Sequence, residues 1–181
     1  MSRRDELAAN LAAVQARISN PDVNLIVVTK TYPVSDVQIL RDLGVTQFGE
    51  NRNEEGLEKS SAVDATWHYQ GEIQSRKLRD IAQWADVIHS LDTASHIAKL
   101  DSVAASEIDI FLQLSLDGDP SRGGVIESDL PALADAALAS SHLNLVGLMC
   151  VPPVAQDPRA AFTEIAAIHR RFIARYPAAI S

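Results

Sequence analysis

Leu25-Ile26-Val27-Val28-Thr29-Lys30-Thr31-Tyr32 is an apolar run that ends on a lysine, and its reading decides the fold. Four apolar residues in succession, Leu25 to Val28, read as a strand buried on both faces, the pattern of a parallel sheet covered by helices. The last residue of such a strand faces whatever lies at its carboxyl end, where open α/β sheets and β/α barrels place their chemistry. A lysine there, partly desolvated by its apolar approach, is expected to offer a usable neutral amine, as Schiff-base formation requires. The ordinary alternative is a strand-end lysine that snorkels to water.

Outward from this strand the same unit recurs. Leu7, Leu11, Val14 and Ile18 repeat at helical spacing before Asn20-Pro21, which places an amphipathic helix ahead of the strand. After Lys30, Ser35 and Gln38 have capping-box spacing, Val37, Leu40 and Leu43 are apolar, and Gly44 stands just past the end. Further strands are predicted at 46–49, 67–71, 86–90, 108–114 and 144–149, with helices at 50–60, 74–84, 93–105, 128–139 and 158–176. The last helix carries Asp157 as its cap and Pro158 at its first position. Six strands alternating with helices imply a parallel sheet with right-handed crossovers.

Composition narrows the function classes. At 181 residues and 46% hydrophobic content the chain can bury a real core and reads as one domain, residues 1–181. A net charge of −8 argues against a nucleic-acid partner, because no basic face is present to neutralise phosphates. Cys150 is the single cysteine and has no internal disulfide partner, so a cytoplasmic location is expected. No apolar stretch is long enough to span a bilayer, and the N-terminal residues run straight into a helix without a signal-peptide pattern.

A doubly wound sheet and a barrel both fit this alternation. The first usually carries a glycine fingerprint after its first strand, and Lys30-Thr31-Tyr32-Pro33 has none, which tilts the reading to a barrel. A (β/α)8 barrel, however, needs eight strands and about 250 residues. The expectation is therefore an incomplete TIM-type barrel of about six βα units, with strands 25–30 and 144–149 as edges.

Several motifs occur together and in order: Val28-Thr29-Lys30-Thr31, Phe48-Gly49-Glu50-Asn51, Trp67-His68-Tyr69-Gln70-Gly71, Ile73-Gln74-Ser75-Arg76-Lys77, Ile88-His89-Ser90-Leu91-Asp92 and Gly147-Leu148-Met149. As an ordered set they resemble the pyridoxal phosphate homeostasis protein family, which is related to the N-terminal barrel domain of alanine racemase. The resemblance runs from about Leu25 to the last residue. It implies a single β/α barrel, pyridoxal 5′-phosphate held as a Schiff base on the lysine matching Lys30, and a role in buffering or delivering that cofactor inside the cell, with no established turnover. It also implies a monomer in the full-length family, and PLP-dependent apoenzymes as recipients. Two departures stand out. The family continues past Ile180-Ser181 into segments that form its last two strands and hold the cofactor phosphate, so a truncated, half-built site is expected here. Where the family tends to have a lysine, this chain has Arg122, within Ser121-Arg122-Gly123-Gly124, and an arginine cannot serve as a neutral amine.

The cofactor-binding candidates are thus Lys30, Asn51 and His68, with no catalytic residue assigned. Asn51 either hydrogen-bonds the cofactor's phenolic oxygen or caps the next helix. His68 either faces the cofactor or packs inside a Trp-His-Tyr run. Gln70, Gln74 and Lys77 are candidates for the mouth, while Lys59 and Lys99 read as surface lysines. The glycine-rich stretch Gly118 to Gly124 reads as a surface loop, since it lacks the ending of a P-loop. The five histidines show no metal-ligand spacing, so no metal is expected.

Three functions compete: a cofactor carrier, an amino-acid racemase-like enzyme using the same lysine, and a cofactor-free interaction domain. Racemisation needs an acid/base on each face of the cofactor. Tyr32 and Tyr69 are the only nearby substitutes for the tyrosine that alanine racemases take from a further domain. The ordered motifs favour the carrier.

Overall fold

The computed structural model describes residues 2–179. Its centre is one sheet of six parallel strands in the order β1 to β6: β1 (Val27–Val28), β2 (Gln47–Glu50), β3 (Thr66–Tyr69), β4 (Val87–Leu91), β5 (Ile108–Leu114) and β6 (Leu143–Cys150). Helices α1 (Arg3–Gln15), α2 (Val34–Asp42), α3 (Asn53–Ala62), α4 (Leu78–Ile81), α5 (Ala94–Val103), α6 (Leu130–Leu138) and α7 (Pro158–Arg175) precede, connect and follow the strands. Among the described residues β1 pairs only with β2, and β6 only with β5, so the sheet is an open barrel wall rather than a closed barrel. This is the incomplete barrel expected from six βα units.

The two faces of the wall differ. Towards the helices the strands present Phe48, Trp67, Ile88, Ile110, Leu112 and Leu145, all buried, with the Phe48 and Trp67 rings stacked at 5.4 Å. Towards the inside they present Gln47, His68, His89, Asp109, Phe111 and Asn144, and along β5 and β6 these inner positions are half-buried between fully buried neighbours. The sheet is therefore less apolar on its inner face than a strand buried on both sides requires. Val28, on the β1 edge, is 44% exposed, as an unpaired edge predicts.

Three local readings need correction. The first strand pairs over two residues only, because the chain turns directly after it, the Tyr32 N–H donating to the Thr29 carbonyl, so Lys30 lies in the turn after β1 and not on the strand. Ser35 does not cap α2: the cap position is Pro33, and a capping box is found instead at Ser2 and Asp5 of α1. The helix expected at 74–84 is a 3₁₀ turn, Ser75–Lys77, running into the single turn of α4. The cap of α7 is as read, with the Asp157 carboxylate accepting from the Ala160 N–H.

Candidate functional site

The site is built at the carboxyl ends of β1 to β3. Thr29 is buried, and Lys30, next to it, is exposed, so of the two readings of this stretch the structure shows the lysine that reaches water. Its ammonium makes no hydrogen bond or ion pair among the described residues. Thr31 follows with φ +68°, in the left-handed region that a β-branched residue adopts at a cost of about 1–3 kcal/mol. Something must hold it there. The Thr31 N–H donates to Glu55 Oε2 at 2.7 Å, and this bond, chiefly, holds the Glu55 carboxyl below its usual range.

Behind the same turn, on the helix-covered face, sits Lys59. It is buried and spends all three of its N–H groups: on the Thr29 carbonyl at 2.8 Å, on Glu50 Oε1 at 2.6 Å and on Glu55 Oε2 at 3.0 Å. Glu50 Oε1 also accepts from the Thr29 hydroxyl at 2.6 Å. The sequence reading of Lys59 as a surface lysine is thus wrong; a long charged side chain is buried here because every donor has an acceptor. Lys99 is exposed, as read. The helix that carries Glu55 and Lys59 lies close on its neighbour, because a Cβ on Gly56 would stand 2.2 Å from the Trp84 ring, whose Nε1 donates to Asn53 Oδ1 at 3.0 Å.

Asn51 lies two residues past the last β1–β2 pair, level with Lys30 in register. It does not cap α3, whose cap position is Arg52. Its Oδ1 is buried without a hydrogen-bond partner among the described residues, and a buried amide oxygen is costly unless some group donates to it. With the amide turned over, the same position presents Nδ2 as a donor, which suits a phenolate oxygen. The chain passes tightly here, since a Cβ on Gly71 would stand 2.3 Å from the Asn51 carbonyl oxygen.

His68 is one inner layer lower, paired in register with Gly49 and Val87. Both ring nitrogens are engaged, Nδ1 with His89 Nε2 at 2.8 Å and Nε2 with Gln47 Oε1 at 2.6 Å. The His89 ring in turn stacks on Phe111 at 4.6 Å. Burial holds both imidazoles towards the neutral form, His89 down to about 4. His68 is therefore a member of a buried inner layer, and no ring nitrogen is left for a ligand at the mouth.

A polar cavity of about 370 Å³ opens at the carboxyl ends of β3 to β6, lined by Gln70, Ser90, Asp92, His96, Gln113 and Arg122 among others. Arg122 is a strut here: its guanidinium donates to the Val151 and Pro152 carbonyls, each at 2.6 Å, and to Asp117 at 3.1 Å, tying the glycine-rich loop to the end of β6. Gln74 bonds Arg76, and Lys77 pairs with Glu54, so both are occupied at the surface. The Tyr69 hydroxyl donates to the Glu72 carbonyl, and burial pushes it up to about 12. Tyr32 is 53% exposed beneath the Arg3 guanidinium. Burial raises the half-buried Cys150 thiol, the opposite of what a nucleophile needs. No group of three metal-ligating side chains is found among the described residues.

Residues 3–179 match the family described as alanine racemase, N-terminal domain. The chain is 42% identical over 153 residues to the pyridoxal phosphate homeostasis protein of Corynebacterium glutamicum, covering 78% of this chain and 69% of the relative. It is 34% identical over 212 residues to the protein of the same name from Mycobacterium leprae, covering 98% of this chain and 82% of the relative. The chain belongs to the pyridoxal phosphate homeostasis protein family. Among solved structures, PipY of Synechococcus elongatus PCC7942 with PLP bound superposes with a TM-score of 0.83 at 26% identity, over 96% of this chain and 85% of PipY. The match to the alanine racemase N-terminal domain agrees with the open six-stranded wall being an incomplete barrel.

The Lys59 network leaves only a weak signal in the sequence. Glu55 and Lys59 stand at i and i+4 on one helix face, directly after the Gly49-Glu50-Asn51 strand end, yet nothing in spacing alone says that this face is buried.

Proposed function

We propose that this protein binds pyridoxal 5′-phosphate and serves its homeostasis in the cytoplasm, holding the cofactor covalently on Lys30 and releasing it to apoenzymes that require it. One observation carries the reading: in a member of this family, an exposed lysine without an ionic partner stands at the strand ends, level with a buried Asn51 Oδ1 that has no donor. When bound, the cofactor supplies an aldehyde with which a neutral lysine amine forms a Schiff base, releasing water. The chain's own residues supply the amine at Lys30 and a polar contact from Asn51. Gln70, whose N–H donates to the Glu50 carbonyl, lines the adjoining cavity. His68 supports the floor from the layer beneath.

The racemase-like alternative needs an opposed acid/base. Tyr69 is turned to the Glu72 carbonyl and held protonated by burial, and Tyr32 lies against Arg3, so neither is poised for that role. At most slow racemisation is expected, of the kind the cofactor itself supports, well below about 1 per second. The test of the main reading is direct. The protein is titrated with pyridoxal phosphate, reduced with borohydride and digested, and the modified peptide is expected to contain Lys30. Modification spread over exposed lysines such as Lys99, with Lys30 unmodified, would refute the proposal.

A further inference from the structure

We propose that Lys59 and Glu55 are positioning residues that hold the backbone on both sides of Lys30 and so set the direction from which its amine meets an aldehyde. The inference rests on the reading of Lys30 given above and adds the device that aims it. Lys30 has two flanking peptide groups, and each is gripped from the helix-covered face. On one side the Thr29 carbonyl accepts from Lys59 Nζ at 2.8 Å; on the other the Thr31 N–H donates to Glu55 Oε2 at 2.7 Å. The two grips are one unit, because Lys59 Nζ also bonds Glu55 Oε2 at 3.0 Å. Glu50 completes it, accepting from Lys59 and from the Thr29 hydroxyl.

The backbone gives the second line of argument. A threonine at φ +68° does not stay there by its own preference, and a free turn would relax to negative φ. The Glu55 bond falls on the very N–H whose direction that dihedral sets. A lysine side chain has four rotatable bonds, so the direction of the peptide that bears it decides which region its amine samples. A clamp on both neighbouring peptides narrows that region without touching the amine, which keeps Lys30 free to react. The supporting helix is itself held close by Gly56 against Trp84, so the clamp rests on a rigid element.

Three proteins are compared: wild type, Glu55→Ala and Glu55→Gln. Glutamine keeps an oxygen that accepts from Thr31 but loses the charge, whereas alanine loses both. Titration with pyridoxal phosphate, followed by absorbance and by mass mapping after reduction, is expected to show Glu55→Ala weakened by about tenfold or more and Glu55→Gln within about threefold of wild type. A folded Glu55→Ala protein within about twofold of wild type overturns the proposal, and so does a Gln variant as weak as the Ala variant, which would make the charge rather than the backbone grip responsible. Should Glu55→Ala fail to fold, amide hydrogen exchange on the wild-type protein decides without any cofactor. The Thr31 N–H is expected to exchange as slowly as the strand amides, and exchange at the rate of an exposed turn overturns the inference. If the wild-type adduct maps to a lysine other than Lys30, the functional reading itself fails, and the exchange measurement still reports on the clamp separately.

Discussion

Lys30 and Lys59 meet the same short stretch of backbone and have opposite fates. Lys30 stands at the strand ends, exposed and without an ionic partner; Lys59 reaches the Thr29 carbonyl from α3 and is 3% exposed with every N–H bonded. The difference lies in the face of the sheet each one serves. On the helix-covered face the Lys59 ammonium is admitted with every donor bonded, since an unpaired buried ammonium is far more costly than any contact it could replace. On the inner side, level with the strand ends, Lys30 is exposed and Asn51 Oδ1 has no partner among the described residues, and there a bound group can supply the donor. One lysine is structural because its donors are spent on protein groups, and the other is available because only water holds it.

The sharpest way to break this comparison is to remove each lysine in turn. Lys30→Ala is expected to abolish the reducible covalent adduct altogether while changing unfolding free energy by less than about 0.5 kcal/mol, since it removes an exposed head group and no core volume. Denaturant unfolding and peptide mapping measure the two halves; a large loss of stability would show that Lys30 has a structural role after all. Lys59→Met should do the reverse. It leaves the fully buried Glu50 without its cation and Glu55 with Arg52 alone, and should lower stability by about 3–5 kcal/mol, with any residual adduct still on Lys30.

Acid probes the inner face. His89 is held neutral in the fold with its protonation midpoint lowered from 6.5 to about 4, so an unfolded chain takes up the proton first as pH falls. Stability is therefore full above about pH 6.5 and declines from there towards pH 4, by on the order of 3 kcal/mol from this residue alone. Melting curves of the wild type and of His89→Gln between pH 7.5 and 4.5 isolate the contribution, and equal slopes for the two proteins would remove it. His68 shifts in the same direction for the same reason, burial.

Asn51→Ala gives a smaller effect. Deleting a polar group whose oxygen has no partner should leave stability within about 1 kcal/mol of wild type, yet weaken pyridoxal phosphate binding by about tenfold through the lost hydrogen bond. Loss of stability without loss of binding would return Asn51 to a purely structural role. Smallest of all is the edge. Val28→Lys, at the exposed β1 edge, should change stability by less than about 0.5 kcal/mol and reduce any concentration-dependent association seen by sedimentation, because a charge on an edge strand opposes pairing with another chain.

Much of this architecture was legible in residue order alone. Alternation of short apolar runs with helical periodicity gave six parallel strands in sequence order, and β5 was placed at 108–114 as it is found, because strongly patterned local segments need little tertiary help. Family resemblance through Val28-Thr29-Lys30-Thr31 and its companions pointed to pyridoxal phosphate, with Lys30 as the proposed point of attachment. What local pattern could not carry was environment. The apolar run before Lys30 allows either a desolvated or a solvent-reaching lysine, and an edge strand of two paired residues leaves it in water. Lys59 looked like surface because it sits among Glu55, Glu58 and Ser60, but packing of α3 onto the sheet buries it. His68 reads from sequence as facing the cofactor or as packed within Trp67-His68-Tyr69, and register places it in a buried layer, engaged by His89 and Gln47, residues 21 positions away on either side. Sequence determined which elements form and in what order, since those choices follow from local periodicity and turn chemistry. Tertiary structure alone decided which polar groups are satisfied and which are left open, because a hydrogen-bond partner is set by distance in space and not by distance along the chain.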